Sequence, residues 1–435
     1  MVLTGVFMFE RTVYSKFVKW KNKSQRLPLI VRGARQVGKT SLIVEFGKSF
    51  RQCHVFNFQK TLKLRECFKK TNDPGQILKF LEVVTEKKID PKKDLIFFDE
   101  IQDCPEALNS LKFISEDHPD WYVIAAGSLL GIYLSSHSFP VGKVHFLNMY
   151  PLTFSEFLKA KGRHQLAKVL EQLDPRNNIY HEELEAELRL YLSVGGLPKV
   201  ISEYLETEDL NEARLVQDEL LLTYRGDFAK YAGPADAIKI LKLFENIPAQ
   251  LAKENHRFQF NLLAQGARYA QFQTSVDWLV AAGLCLRLPI IENAEIPLKP
   301  WVKENHFKLY FFDVGLLGAL SDLSMGAFMI EADLFKTFKG AFIENYFYQE
   351  FRSSRKEELY CWTGRNSEVD FLYTDEKMNL VPIEVKSGNS GKLKSLQVFS
   401  EKYNVKIKTR CSSQKMEIGE DNHFRNIPLM YASRV

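Results

Sequence analysis

The stretch "GARQVGKTS", residues 33–41, fits the spacing G-x-x-x-x-G-K-[ST]. It follows the apolar run "LPLIV" (27–31) and leads into "LIVEFG" (42–47), the strand-before, helix-after setting that gives the pattern its meaning. The glycines let the backbone wrap around phosphates, and the amides at the helix N-terminus point at negative charge. Lys39 is then placed to reach the β- and γ-phosphates of a nucleotide, and Thr40 to put its hydroxyl on Mg²⁺. The expectation is ATP with Mg²⁺, bound by Gly33, Ala34, Arg35, Gln36, Val37, Gly38, Lys39, Thr40 and Ser41.

Working outward, "LIFFDE" (95–100) supplies what the loop lacks. Four apolar residues make a buried strand, and Asp99 emerges at its end to hold the metal through water. Glu100, beside it, can polarise the attacking water. "AAGS" (125–128) ends a further strand, so Ser128 either senses the γ-phosphate between the two motifs or caps the following helix. The expected catalytic set is Glu100, Lys39 and Ser128, and the expected metal ligands are Thr40 and Asp99.

These runs alternate with helical stretches. Residues 10–22 read as a basic helix, "CHVFNF" and "WYVIAAGS" as strands, and "PEALNSLKFISED" as a helix. Strands alternating with helices predict a parallel sheet covered on both faces. The first domain is expected at 1–158.

Residues 159–304 change character. "EELEAELRLYLSVGGLPKV" is a helix stopped by Gly195, Gly196 and Pro198. In "FQTSVDWLVAAGLCLRLPI", Phe272, Val276, Leu279 and Val280 share one helical face, Gly283 can end that helix, and an apolar strand follows. With "NLLAQGARYA" before it, this is winged-helix-like. The favoured meaning is a packing helix-turn-helix that touches no DNA, since the second helix is not rich in Lys or Arg.

Residues 305–435 form the third expected domain. "FKLYFFDVGL" reads as a strand and turn, "GAFIENYFYQEFRSS" as a helix, and "LYCWTG", "EVDFLY" and "VPIEVKS" as strands. Glu384 and Lys386 point the same way from one strand. Asp370 starts the preceding strand and could meet them across the hairpin, with Glu344 supplied by the helix and Gln397 a weaker candidate. Metal-dependent nucleases use carboxylates to hold Mg²⁺ and a Lys to orient water. The same residues also suit a surface hairpin with alternating charges. From Lys386 to Arg410 there are seven basic residues and one acidic, which is either a phosphate-binding face or a solvated one.

The composition sets bounds. The chain has 435 residues, 45% hydrophobic and 26% charged, a globular balance with a net charge of +5 that permits nucleic-acid contact without arguing for it. Six scattered cysteines include no Cys-x-x-Cys pair and fit reduced thiols in a cytoplasmic protein. The start is a poor secretion signal, and no run approaches the ~20 apolar residues of a membrane span.

The motifs "GARQVGKT", "DEIQ", "AGS" and "PLTFSEF", followed by "GGLPKV", "YRGDF" and "FFDVGL", resemble a bacterial and archaeal family of AAA-type ATPases along nearly the whole chain. The resemblance implies an α/β fold class: a P-loop NTPase parallel sheet, then a helical and winged-helix region, then a small α/β domain of restriction-endonuclease-like fold. Many relatives carry Gly-Arg before the "PLTF" segment where this chain has "VGKVHF" with Lys143, a weaker replacement, so hydrolysis is expected to be slow or to need an Arg from a neighbouring subunit or Arg225 at the γ-phosphate. Two functions follow. One is an ATPase whose C-terminal half contacts DNA or RNA, with ATP-dependent self-association. The other is a regulatory ATP-binding module engaging a protein partner, its nuclease-like half an inactive scaffold.

Overall fold

The computed structural model describes residues 9–128, 130–132, 142–253, 257–329, 336–355, 357–387, 393–419 and 423–435. Most of the apolar start and residues 388–392 of the basic run lie outside them. The chain forms two compact units, one of residues 1–150 with 281–283, the other of 151–280 with 284–435.

In the first unit, strands β1 (Leu29–Arg32), β2 (Cys53–Asn57), β3 (Leu95–Asp99), β4 (Tyr122–Gly127) and β5 (His145–Asn148) form a sheet in the order β2-β3-β4-β1-β5. Every pairing is parallel, with Phe97 opposite Ile124, Ile30 opposite Ala125 and Val31 opposite Leu147. All five residues of β3 are buried, so the strand reads as an unbroken apolar run and not as an alternation. Phe56, Phe58, Phe68 and Phe98 pack on one face with Ile30, Leu111 and Ile114. Because β4 lies between β1 and β3, the chain leaves neighbouring regions of one sheet edge at the Gly-rich loop, at Asp99 and at Ser128. Ligand crevices of open α/β sheets form outside the carboxyl ends of such strands.

The basic helix expected over 10–22 is the helix Tyr14–Lys21, which buries Phe17 and Trp20. The stretch "PEALNSLKFISED" is helical from Pro105 to Asp117, as its pattern predicts.

The second unit begins at Pro151, before the boundary expected at Leu158, because the segment after β5 is tied into it. Leu152 donates its amide to the Gly196 carbonyl (2.7 Å), and the Phe154 amide donates to the Glu350 carboxylate (2.8 Å). Thr153 and Glu156 then form a capping box for the helix Phe154–Ala160. The helices His181–Val194, Pro198–Thr207, Leu210–Tyr231, Pro234–Leu251 and Tyr269–Ala281 follow. On the last, Phe272, Val276 and Leu279 are buried as the pattern predicts, with Trp278 beside them and Val280 half-buried.

An eight-stranded mixed sheet closes the unit: β6 (Cys285–Ile291), β7 (Phe307–Phe311), β8 (Tyr360–Thr363), β9 (Glu368–Thr374), β10 (Leu380–Lys386), β11 (Lys408–Ser412), β12 (Glu417–Ile418) and β13 (Phe424–Pro428), in the order β12-β13-β11-β10-β9-β8-β6-β7. The division expected at 304/305 falls between β6 and β7, which pair antiparallel with Leu288 opposite Lys308. The helix Lys336–Ser354 packs on this sheet, and β9 and β10 make the expected hairpin. The expected turn after β7 is a short helix, Val314–Leu320, because Asp313 caps it by accepting from the Leu316 amide.

All six cysteines are free thiols. Among the described residues, no helix is long and apolar enough to cross a membrane.

Candidate functional site

The loop between β1 and the helix Lys39–Gly47 needs glycine at two places. A Cβ on Gly33 would lie 2.1 Å from the Met149 carbonyl oxygen, and Gly38 caps the helix at φ 91°, in the left-handed region. Gln36 also holds a positive φ of 67°, a strained value for a residue with a side chain. Ala34 and Val37 are buried, so the loop is anchored from within. Arg11 clamps it by donating to the Val37 and Tyr150 carbonyls at 3.0 and 2.7 Å.

Lys39 folds over this loop, its ammonium donating to the carbonyls of Gly33 (3.0 Å) and Ala34 (2.8 Å). Burial pulls its pKa down to about 8 against the opposing pull of Glu100 and Asp99, and Arg35 lowers it further. Thr40 and Ser41 open the helix at the point where its free amides begin.

Asp99 is fixed at both oxygens. Oδ1 accepts from the Thr40 hydroxyl at 3.1 Å, and Oδ2 accepts from the Asn57 amide at 3.0 Å. Burial raises its pKa, Glu100 raises it further, and the Asn57 and Thr40 hydrogen bonds pull it back. These residues fit Mg²⁺, a hard cation that takes one or two protein oxygens and fills its shell with phosphate and water. Among the described residues no group of three or more His, Cys, Asp or Glu side chains forms a cage for a metal.

Glu100 sits in the left-handed region at φ 51°, where the strand breaks into the 3-10 turn Ile101–Asp103. That turn returns Gln102 to Glu100, with Nε2 donating to Oε2 at 2.7 Å. The Ser128 hydroxyl donates to the same oxygen at 3.4 Å. Lys39, Thr40, Asp99, Glu100 and Ser128 are thus linked through direct bonds or charge contacts. Ser128 reaches Glu100, and the Thr40–Asp99 bond joins the loop to the strand.

Sequence reasoning missed Arg11, Asn57 and Gln102. Asn57 ends an apolar strand, and a polar residue at the carboxyl end of a parallel strand was its only signal. Gln102 stood in the quoted "DEIQ". Two candidates for the missing arginine are engaged elsewhere: Lys143 pairs with Glu116 at 2.9 Å, and Arg225 with Glu245 at 2.7 Å.

The second unit brings its four expected residues together. The Asp370 carboxylate accepts from the Val385 amide at 2.8 Å, beside Glu384, and Lys386 pairs with Glu384 at 2.6 Å. Burial raises the Asp370 pKa well above the usual carboxylate range, and Glu384 and Glu344 push it further. Burial also raises Glu384, against the pull of Lys386. Glu344, on the helix Lys336–Ser354, accepts from the Tyr310 hydroxyl at 2.7 Å. Gln397 is apart from them, donating to Glu401 and accepting from Lys408. Tyr310, Lys308 and Glu368 are members of this cluster that the sequence did not suggest.

Three families match successive stretches of the chain. The family described as "AAA domain" matches residues 25–158, a "Domain of unknown function (DUF8612)" matches 185–326, and a "Domain of unknown function (DUF4143)" matches 339–431. No curated protein matches the chain. Among solved structures, the Aeropyrum pernix ORC1 protein in complex with DNA is 10% identical over 75% of this chain and 95% of its own, with a TM-score of 0.30. Drosophila ORC bound to DNA is 13% identical over 71% of this chain and 93% of its own, with a TM-score of 0.27. Over residues 25–158 the chain is therefore similar to the AAA domain.

Proposed function

We propose that the chain hydrolyses ATP with Mg²⁺ in its first unit and uses a restriction-endonuclease-like domain over 305–435, preceded by a helical and winged-helix-like region over 159–304, to contact DNA or RNA. The observation that carries the ATPase reading is the joining of loop and strand: Thr40 donates to Asp99 at 3.1 Å while Ser128 donates to the neighbouring Glu100. Loop amides and Lys39 hold the phosphates. Thr40 and Asp99 hold Mg²⁺, which when bound withdraws charge from the β- and γ-phosphates. Glu100 orients and polarises the attacking water, and the carbonyl contacts of Lys39 give way to the γ-phosphate. The chemistry is mostly positioning and charge, so preformed hydrogen bonds at Asp99 and Glu100 serve it directly.

ATP hydrolysis with and without DNA and RNA, with strand cleavage read in the same tubes, tests this. Hydrolysis stimulated by nucleic acid supports it. Hydrolysis indifferent to both, with no binding, favours the second reading, in which the nuclease-like unit is a scaffold for a protein partner. One observation supports that second reading: Glu368 and Glu384 of the second unit are already paired with lysines.

A further inference from the structure

The buried carboxylates Glu344, Asp370 and Glu384 and the half-buried Glu368 come from one helix and two strands to one place. Two ammonium groups stand among them. Lys386 was visible in the hairpin. Lys308, from β7, is 0% exposed and lies 2.6 Å from Glu368 and 3.6 Å from Glu344. An isolated lysine does not stay charged in such a place, since burial disfavours the ammonium. Burial does work against Lys308, yet neighbouring groups, Glu344 and Glu368 among them, raise its pKa well above the usual lysine range.

Each carboxylate has an internal partner. Glu368 has Lys308, and Glu344 has the Tyr310 hydroxyl with Lys308 behind it. Asp370 has the Val385 amide, and Glu384 has Lys386 on Oε1. A divalent cation bound to Glu344 would stand next to a buried ammonium on the same carboxylate, and like charges this close in a low-dielectric site repel strongly. Among the described residues no group of His, Cys, Asp and Glu is arranged to hold a metal here either. The nuclease metal that the fold family implies therefore does not fit this cluster as it stands. Glu384 Oε2 is buried with no hydrogen-bond partner, so it is the oxygen at which an added cation would show first.

We propose that Lys308 is the resident cation of this cluster, and that the protein neutralises these carboxylates with lysine and not with a divalent metal. This deepens the scaffold reading of the second unit and rests on it.

The test uses the full chain carrying Asp99→Asn, which removes the metal ligand of the nucleotide site. Mn²⁺ titration by calorimetry should show no site that Glu384→Ala abolishes. Adding Lys308→Ala should lower the melting temperature and create Mn²⁺ binding that restores it in part, lost again with Glu344→Gln. Lys308→Met with Glu368→Gln removes both charges, so it should fold and gain no metal site. A Mn²⁺ site in the Asp99→Asn chain that Glu384→Ala abolishes would overturn the proposal, as would Lys308→Ala melting at the parent temperature. If Lys308→Ala does not fold, the Mn²⁺ titration of the Asp99→Asn chain decides alone. Strand cleavage by the parent chain would instead sink the scaffold reading, whatever the Mn²⁺ result.

Discussion

The Thr40 hydroxyl donates to the Asp99 carboxylate across 3.1 Å, although 59 residues separate the two in the chain. The bond exists because β4 sits between β1 and β3 and brings the ends of both to one sheet edge. It fixes one carboxylate oxygen, and Asn57 fixes the other. Asp99→Asn should therefore raise the Mg²⁺ concentration needed for half-maximal ATP hydrolysis. Asn57→Ala should do the same by roughly 10-fold or more, within the range for lost outer-shell partners. A Mg²⁺ titration of hydrolysis checks both, and an unchanged midpoint for Asp99→Asn would remove it from the site.

Lys39→Ala should weaken ATP binding by roughly 10–100-fold, the worth of one charge-assisted hydrogen bond, without unfolding the chain. The pH dependence follows from burial. Lys39 titrates at about 8 in the nucleotide-free protein, and ATP needs its charged form. Below pH 8 the ammonium is already present and affinity is flat. Above pH 8 binding must take up a proton, so affinity falls by up to about tenfold per pH unit. Isothermal titration from pH 7 to 9.5 checks this, and Lys39→Arg should flatten the curve.

A different pH effect belongs to the second unit. Burial raises Glu350 to about 8, with the Phe154 amide and Tyr191 pulling it back. Its folded pKa lies above the ordinary carboxyl value, so its neutral form favours the fold. That stability is fully present below about pH 4.5 and is lost as pH rises toward 8, because the unfolded chain ionises first. Glu350→Gln keeps an acceptor for the Phe154 amide and loses the titration. Melting temperatures between pH 5 and 8 should fall less steeply for this variant than for the parent.

Much of this was legible in the sequence for a physical reason. Phosphate-binding loops and buried parallel strands are local: "GARQVGKTS" carries its glycines and its lysine within nine residues, and "LIFFD" shows its burial as an unbroken apolar run. Asn57 and Gln102 were not legible, because their roles depend on the sheet order and on a left-handed turn at Glu100. Lys308 was hidden for the same reason. In "FKLYFF" it looks like an ordinary alternating strand residue, and only the placement of β7 near the hairpin buries it among carboxylates. The start of the second unit at Pro151 was also out of reach, since it depends on Leu152 and Phe154 bonding to residues 196 and 350.

Glu100 offers the sharpest separation of binding from chemistry. Glu100→Gln preserves shape and hydrogen-bonding capacity toward Gln102 and Ser128 but removes the charge proposed to polarise water. Steady-state ATP hydrolysis and ATP affinity, measured on the parent and on this variant, test the central claim most directly. The account predicts Mg²⁺-dependent hydrolysis by the parent, turnover lowered by about 10² or more in Glu100→Gln, and affinity within a few-fold, the range expected for lost acid–base assistance. Hydrolysis by Glu100→Gln at the parent rate, or no hydrolysis by the parent above background, would contradict it.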